Sequence, residues 1–410
     1  MHSSKILRQW KSMLAGQRLK KLACLSALAL IASAAQAAEP ASIQSVQPTQ
    51  DCSREAGAAC WYSLDLPGQA GRLHYYASRA PGQGGAAAAG PTEALLVMHG
   101  HSRDANRSFV AGLQAAQLEG KLKGTPDDVL VLAPLFGVAA SKADRCHTQG
   151  VPEAQPGDAL WTCSSWLAGQ RSQGHKGDTD ELPVGRIGSI AALDALLLEL
   201  QKQWPSLRSV TLAGFSAGAQ MLQRSAVFAA APPQGLAVRY VIASPGSWLY
   251  FDAQRPQPQV NDQAVDWASC TAQGAACRMV FERPDEAACP GYNRWKYGVE
   301  DLPAHLTGGP GASADVAALR ERYRQARIDY LAGELDSNAK RGAAYSVLDK
   351  SCAAMLQGPF RLQRAQAYAA YDQALLQPPQ PRSFTVVPSC AHDVACVLPS
   401  PEARRVLFGQ

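Results

Sequence analysis

The sequence predicts an α/β chain: a mostly parallel central sheet with helices on both faces. Three observations carry this. Short apolar runs bounded by turn residues, such as Ala94–Met98 and Val129–Ala133, have the length and composition of buried strands. Longer segments with helical spacing alternate with them; in Ile187–Trp204, Ile190, Leu193, Leu197 and Leu200 fall on one stripe. The apolar run at Val210 stops at Gly214-Phe215-Ser216-Ala217-Gly218 and passes into a helix-like segment, Ala219 to Phe228. Strands that alternate with helices need crossover connections, which leave a parallel sheet covered on both sides.

Taken in order, the chain opens with Lys5, Arg8, Lys11, Arg18, Lys20 and Lys21 and no acids, then an apolar run, Leu22 to Ala35, ending at Ala35-Gln36-Ala37. A basic segment, a short apolar run and an A-x-A site predict a signal peptide over residues 1–37, cut before Ala38. The long basic segment leaves Met13 as an alternative start, and the apolar run is short for a membrane span. Removal changes the charge argument. The whole chain is +5, from 39 Lys and Arg against 34 Asp and Glu, but loss of the six leading cations leaves 33 against 34. A near-neutral mature chain gives no reason to expect a nucleic-acid partner.

Residues 38–410 are expected to form one domain. Leu73–Ala77 reads as an early strand, Pro81–Gly90 as a Gly/Ala-rich loop, and Ala94–Met98 and Val129–Ala133 as strands. The helix over Ile187–Trp204 is followed by strands at Ser209–Ala213, Val238–Ala243 and Ile328–Leu331, a helix over 359–376, a last strand Phe384–Val387 and a closing helix Pro401–Phe408. Two stretches break the alternation and read as insertions, at about 137–182, with Trp161 and Trp166, and about 252–327, with Cys289-Pro290-Gly291-Tyr292-Asn293-Arg294-Trp295-Lys296-Tyr297-Gly298. Long connections inside a compact domain are commonly lids or disulfide-held excursions, so both are expected to border a pocket.

Of eleven cysteines, ten remain after loss of Cys24, and an even count in an exported chain reads as disulfides. The connectivity stays open. Neighbour pairing would join Cys52–Cys60, Cys146–Cys163, Cys270–Cys277 and Cys390–Cys396, leaving Cys289 with Cys352. No C-x-x-C pair supports a zinc site, and the His99-x-His101 pair lacks further spaced ligands, so no metal is expected.

The candidate chemistry centres on Ser216. A glycine-flanked serine at a sharp strand-to-helix turn has the layout of a nucleophile elbow, with the N–H groups of the helix start facing any developing negative charge. A serine hydroxyl needs a base, and the base needs an acid to orient it. His392, in Pro388-Ser389-Cys390-Ala391-His392-Asp393 after the last strand, is the candidate base. Asp336, in Gly333-Glu334-Leu335-Asp336, is the candidate acid, with Glu334 and then Asp252 as alternatives. His99-Gly100 after an early strand marks the loop that completes an oxyanion hole, for which the backbone N–H groups of His101 and Ala217 are the candidates, His99 itself being structural. A Cys390–Cys396 bridge would pin the loop that carries the base.

These residues resemble the α/β-hydrolase superfamily from about Leu95 onward. The resemblance rests on His99-Gly100-x-x-Arg103-x-Ala105, Gly214-x-Ser216-Ala217-Gly218, Ala243-Ser244-Pro245-Gly246-Ser247-Trp248-Leu249-Tyr250, the Tyr292 to Gly298 run, Gly333-Glu334-Leu335-Asp336 and Ser389-Cys390-Ala391-His392-Asp393. More narrowly the chain looks like secreted, cysteine-rich serine hydrolases, and is distantly similar to polyester depolymerases and feruloyl-type esterases. One departure is Cys390, where relatives often carry glycine. The resemblance implies an α/β-hydrolase fold and an exported serine hydrolase of carboxylic esters, without a cofactor, acting on a small or polymeric ester. A peptidase or amidase with the same three residues is the alternative, and a non-catalytic binding protein on this scaffold the third reading.

Overall fold

A computed structural model describes residues 51–82, 90–125, 128–139, 146, 150–174, 183–273, 277–307 and 315–409. The expected signal peptide lies outside them, as does most of the Pro81–Gly90 loop. Among the described residues eight strands form the central sheet: β1 (Trp61–Asp65), β2 (Arg72–Ala77), β3 (Glu93–Met98), β4 (Leu130–Leu135), β5 (Ser209–Phe215), β6 (Ala237–Ala243), β7 (Ile328–Gly333) and β8 (Phe384–Val387). They lie in the order β1-β2-β4-β3-β5-β6-β7-β8. The β1–β2 and β2–β4 pairs are antiparallel, and every other pair is parallel.

The helices α1 (Ala105–Leu118), α2 (Ser189–Gln203), α3 (Ala217–Phe228), α4 (Val316–Gln325), α5 (Arg361–Tyr371) and α6 (Pro401–Phe408) cover both faces. Strand residues alternate between them with period two. Leu95, Val97, Val131, Ala213 and Val241 pack with Phe109 and Leu113 of α1 and Leu407 of α6. Ala94, Leu96, Leu132, Leu212 and Ile242 pack with Leu193 of α2, Met221 of α3, Leu319 of α4 and Tyr368 of α5. Because both faces are buried, these strands read as continuous apolar runs rather than alternating ones. Each fully buried aliphatic side chain contributes about 1.5–3 kcal/mol through this burial.

Three elements escape the sequence reading. β1, Trp61-Tyr62-Ser63-Leu64-Asp65, is an edge strand in which only Leu64 is buried, so no apolar run marks it. Beside Phe109 and Leu113, α1 buries mostly small residues: a Cβ at Gly112 would lie 2.8 Å from Val97 Cγ2 and 3.0 Å from Val131 Cγ1, so the glycine sets how closely this helix packs. Val316–Gln325, within the second polar excursion, forms α4 and sends Leu319 and Tyr323 into the core.

The excursions are held by covalent and polar ties. Gly137–Val138 pairs in parallel with Leu160–Trp161. Arg255–Val260 forms a small antiparallel sheet with Gln263–Ala264 and Arg278–Glu282. Among the described residues the cysteines pair as Cys52–Cys60, Cys146–Cys163, Cys270–Cys277, Cys289–Cys352 and Cys390–Cys396, which bears out neighbour pairing throughout. Trp161, Trp166 and Trp248 are wholly buried and belong to the core. Trp295 is half-buried, edge-on to Phe228 and beneath the Arg224 guanidinium. No helix among the described residues is long and apolar enough to cross a membrane.

Candidate active site

Ser216 sits between the end of β5 and the start of α3 with φ 57° and ψ −117°. A side chain in this left-handed region stores on the order of 1–3 kcal/mol of strain, which persists only where the surroundings enforce it. Here two close approaches enforce it. A Cβ on Gly214 would fall 2.6 Å from the Gly218 carbonyl, and one on Gly218 would fall 2.5 Å from the carbonyl oxygens of Met98 and His99. The two glycines therefore let the turn close on itself and against β3. The Ser216 N–H donates to Ala243 O at 2.9 Å, which ties the turn to β6.

His392 and Asp336 reach this serine from the next loops along the carboxyl edge of the sheet. His392 Nδ1 lies 2.7 Å from Asp336 Oδ2, and Nε2 lies 2.8 Å from Ser216 Oγ. The carboxylate can only accept, so Nδ1 carries the proton and Nε2 accepts from the serine hydroxyl. The Phe215 ring lies against the imidazole at a centroid distance of 4.7 Å. Burial, and after it the Arg361 guanidinium, hold the imidazole below its usual 6.5, with Asp336 acting the other way.

The acid and base loops are buttoned together. Glu334 N–H donates to Val387 O, Leu335 N–H to Cys390 O, and His392 N–H to Gly342 O. A Cβ on Gly333 would meet Cys390 O at 2.5 Å, so only glycine lets the loop carrying His392 cross the end of β7. The alternatives separate here. Exposed Glu334 accepts from Ser389 N–H at 2.8 Å and serves as a loop clasp. Asp252 accepts from the Tyr371 hydroxyl at 2.8 Å and belongs to the aromatic core. Asp336 alone meets His392. The Cys390–Cys396 bridge spans the base, and Asp393 caps the short helix Val394–Val397 while pairing with Arg107 of α1.

Arg361 is a residue that sequence reading missed. It opens α5 and lies buried with Nη1 3.3 Å from Asp336 Oδ1 and 2.8 Å from Ala343 O. A lone arginine 25 positions from its partner leaves no local signal in sequence.

The loop after β3 lies over the serine. The Cβ position at Gly100 falls 3.6 Å from Ser216 Cβ. Neither the His101 nor the Ala217 N–H donates to an acceptor among the described residues, and the latter is the first amide of α3. His99 is buried with both ring nitrogens engaged, Nδ1 with Gly100 O at 2.8 Å and Nε2 accepting from Phe136 N–H at 3.1 Å. Burial pushes its pKa down to about 4, so it stays neutral and braces this loop. Among the described residues no cluster of three or more His, Cys, Asp or Glu could hold a metal ion.

No protein-family model and no curated protein matches the sequence. Solved structures do. Poly(aspartic acid) hydrolase-1 from Sphingomonas sp. KT-1 is similar at 20% identity, over 85% of this chain and 98% of that one, with a TM-score of 0.50. LpqC, a poly(3-hydroxybutyrate) depolymerase from Bordetella parapertussis, is similar at 17% identity, over 88% and 96%, with a TM-score of 0.49. The sheet order, the helices on both faces and the likeness to the first of these agree: the chain has the α/β-hydrolase fold.

Proposed function

We propose that this chain is an exported serine hydrolase that cleaves carboxylic esters through an acyl-enzyme. The observation that carries this is the unbroken run of hydrogen bonds from Asp336 through His392 to Ser216, on a backbone turn that holds the hydroxyl clear of the sheet. In this reading Ser216 Oγ attacks the ester carbonyl while His392 Nε2 takes its proton. Asp336 steadies the imidazolium, and the His101 and Ala217 N–H groups hold the oxyanion. The C–O bond then breaks, the leaving alkoxide takes the proton from Nε2, and water repeats the sequence to free the acid. Paired cysteines throughout the described residues favour an oxidising compartment. The basic and apolar residues of 1–37 favour a cleaved export signal.

The test is fluorophosphonate labelling of the folded protein, followed by matched ester, amide and peptide substrates. Labelling at Ser216 with turnover of esters is expected. Turnover of peptides instead would favour the peptidase reading, and a folded protein that takes no label would leave only a binding role.

The base works when neutral, so the acid limb of kcat/KM against pH should fall below 6.5, as the burial of His392 requires. Arg361→Gln removes a positive charge that disfavours the imidazolium. The limb should then move to higher pH; a limb that stays or moves lower would count against Arg361 as a positioning residue.

The bridge around His392 gives a separate expectation. A Cys390→Ala/Cys396→Ala variant, assayed where it remains folded, should lose about 10- to 100-fold in kcat with little change in KM, because a base misplaced by about 1 Å costs rate steeply. Full activity in that variant would show that the loop needs no pin.

A further inference from the structure

The loop from β3 to α1 reads His99-Gly100-His101-Ser102-Arg103-Asp104. Asp104 stands at the N-cap of α1, where an aspartate ordinarily accepts from the first free amides of its own helix. Its side chain makes no such bond here. Oδ1 turns back along the loop and accepts from Gly100 N–H at 3.1 Å. The bond joins a half-buried carboxylate to the residue that lies over the nucleophile: the Cβ position at Gly100 is 3.5 Å from Asp104 Oδ1 and 3.6 Å from Ser216 Cβ.

The next peptide is gripped from its other side. Gly100 O accepts from Arg103 N–H at 3.1 Å and from His99 Nδ1 at 2.8 Å. His99 Nδ1 carries the proton because Nε2 accepts from Phe136 N–H, which can only donate. The peptide between Gly100 and His101 is trans, so its N–H points away from the carbonyl that these two donors hold. The direction of His101 N–H, the candidate oxyanion donor, is thus set by contacts to the carbonyl of the residue before it. A glycine at this point supplies no stiffness of its own, since the peptides on either side of it turn at little steric cost. Donors to an oxyanion are worth most when they need no rearrangement at the moment of reaction. The Asp104 carboxylate engages one of the two glycine peptides, and the His99 and Arg103 donors engage the other.

We propose that Asp104 is a positioning residue for the oxyanion hole: by taking Gly100 N–H, its carboxylate fixes the glycine from which His101 N–H is presented to the substrate. The inference rests on the ester-hydrolase reading for its kinetic arm, while amide exchange tests the clasp without turnover. The carboxylate also acts through space. Asp336 and Asp104 favour the His392 imidazolium and Arg361 opposes it, whereas the adjacent Asp393 is paired with Arg107. Substitution separates the two effects. Asp104→Asn keeps an oxygen for Gly100 N–H and loses the charge; Asp104→Ala loses both.

Turnover of p-nitrophenyl butyrate is measured for the wild type and both variants, with active sites counted by fluorophosphonate. Asp104→Ala is expected to lose about 10- to 100-fold in kcat with little change in KM, the scale of a displaced oxyanion donor. Asp104→Asn is expected to stay within a few-fold of the wild type. Its acid limb of kcat/KM should move to lower pH, because one carboxylate that favours the imidazolium is gone. A trifluoromethyl ketone reports on the hole itself: Ser216 Oγ adds to its carbonyl carbon, the serine proton passes to His392, and the ketone oxygen becomes the oxyanion. Its Ki should rise in Asp104→Ala in step with the fall in kcat/KM. Loosening of the fold alone would lower Tm and the count of active sites while leaving the Ki of the remaining sites unchanged. In the exchange arm, followed by NMR, Gly100 N–H should exchange slowly in the wild type and Asp104→Asn, and much faster in Asp104→Ala. An unmoved limb in Asp104→Asn overturns the through-space effect. Equal losses in the two variants, full activity in Asp104→Ala, or an unchanged Ki overturns the positioning role. If the wild type takes no label and turns over no ester, the hydrolase reading fails by itself and exchange decides the clasp: fast exchange in Asp104→Ala alone upholds it, and equal exchange in all three proteins overturns it.

Discussion

Replacing Ser216 with alanine is expected to lower kcat on the order of 10⁵- to 10⁶-fold and to abolish fluorophosphonate labelling, while the protein keeps its fold. The size follows from removing the atom that forms the covalent intermediate, after which only binding and oxyanion stabilisation remain. The backbone adds a second, opposite expectation. Ser216 is held at φ 57°, where any Cβ is strained. Ser216→Gly should therefore be as inactive as Ser216→Ala but more stable, by about 1 kcal/mol, because glycine relieves the strain. Denaturant unfolding of the two variants measures the difference. Equal stability would mean that the turn is not strained, and substantial residual activity in either would place the nucleophile elsewhere.

The second large effect concerns the acid. Asp336→Asn should lower kcat by about 10⁴-fold, since an amide facing His392 Nδ1 favours the wrong tautomer and cannot stabilise the imidazolium. Glu334→Gln should cost only a few-fold, because the amide oxygen can still accept from Ser389 N–H, the bond that clasps the loop. These two acids lie two positions apart in one loop, so the contrast is sharp. Comparable losses in both variants would remove the distinction drawn from the geometry. Asp336→Asn also leaves the buried Arg361 without its carboxylate, so its stability should be followed alongside its rate.

Much of the sheet could be read from sequence because strands buried on both faces must be apolar throughout. Phe384–Val387 and Pro401–Phe408 were expected with the bounds that the structure gives them. α1 was not legible. Beside Phe109 and Leu113, its buried residues are the small Ala105, Ser108, Ala111, Gly112, Ala115 and Ala116, and the fit of Gly112 shows only against Val97 and Val131 of the sheet. The tryptophans of the insertions illustrate the same gap. Trp161 and Trp166 stand in a polar stretch that reads as a surface excursion, yet they pack with Phe136 in the core. Burial depends on what folds over a residue, and sequence neighbours do not record that.

The sequence by itself determined the strand-and-helix alternation and the elbow around Ser216, because each rests on local spacing: periodicity and two flanking glycines. It left the cysteine connectivity open, since Cys289 and Cys352 lie 63 positions apart. Only the tertiary structure decided between Glu334 and Asp336, since the two share a loop and differ in whether they meet Ser389 or His392. It also brought Arg361 to Asp336 and buried the pair together. Those are facts about distance in space and about water removed from charge, and both arise only when segments far apart in the chain pack together.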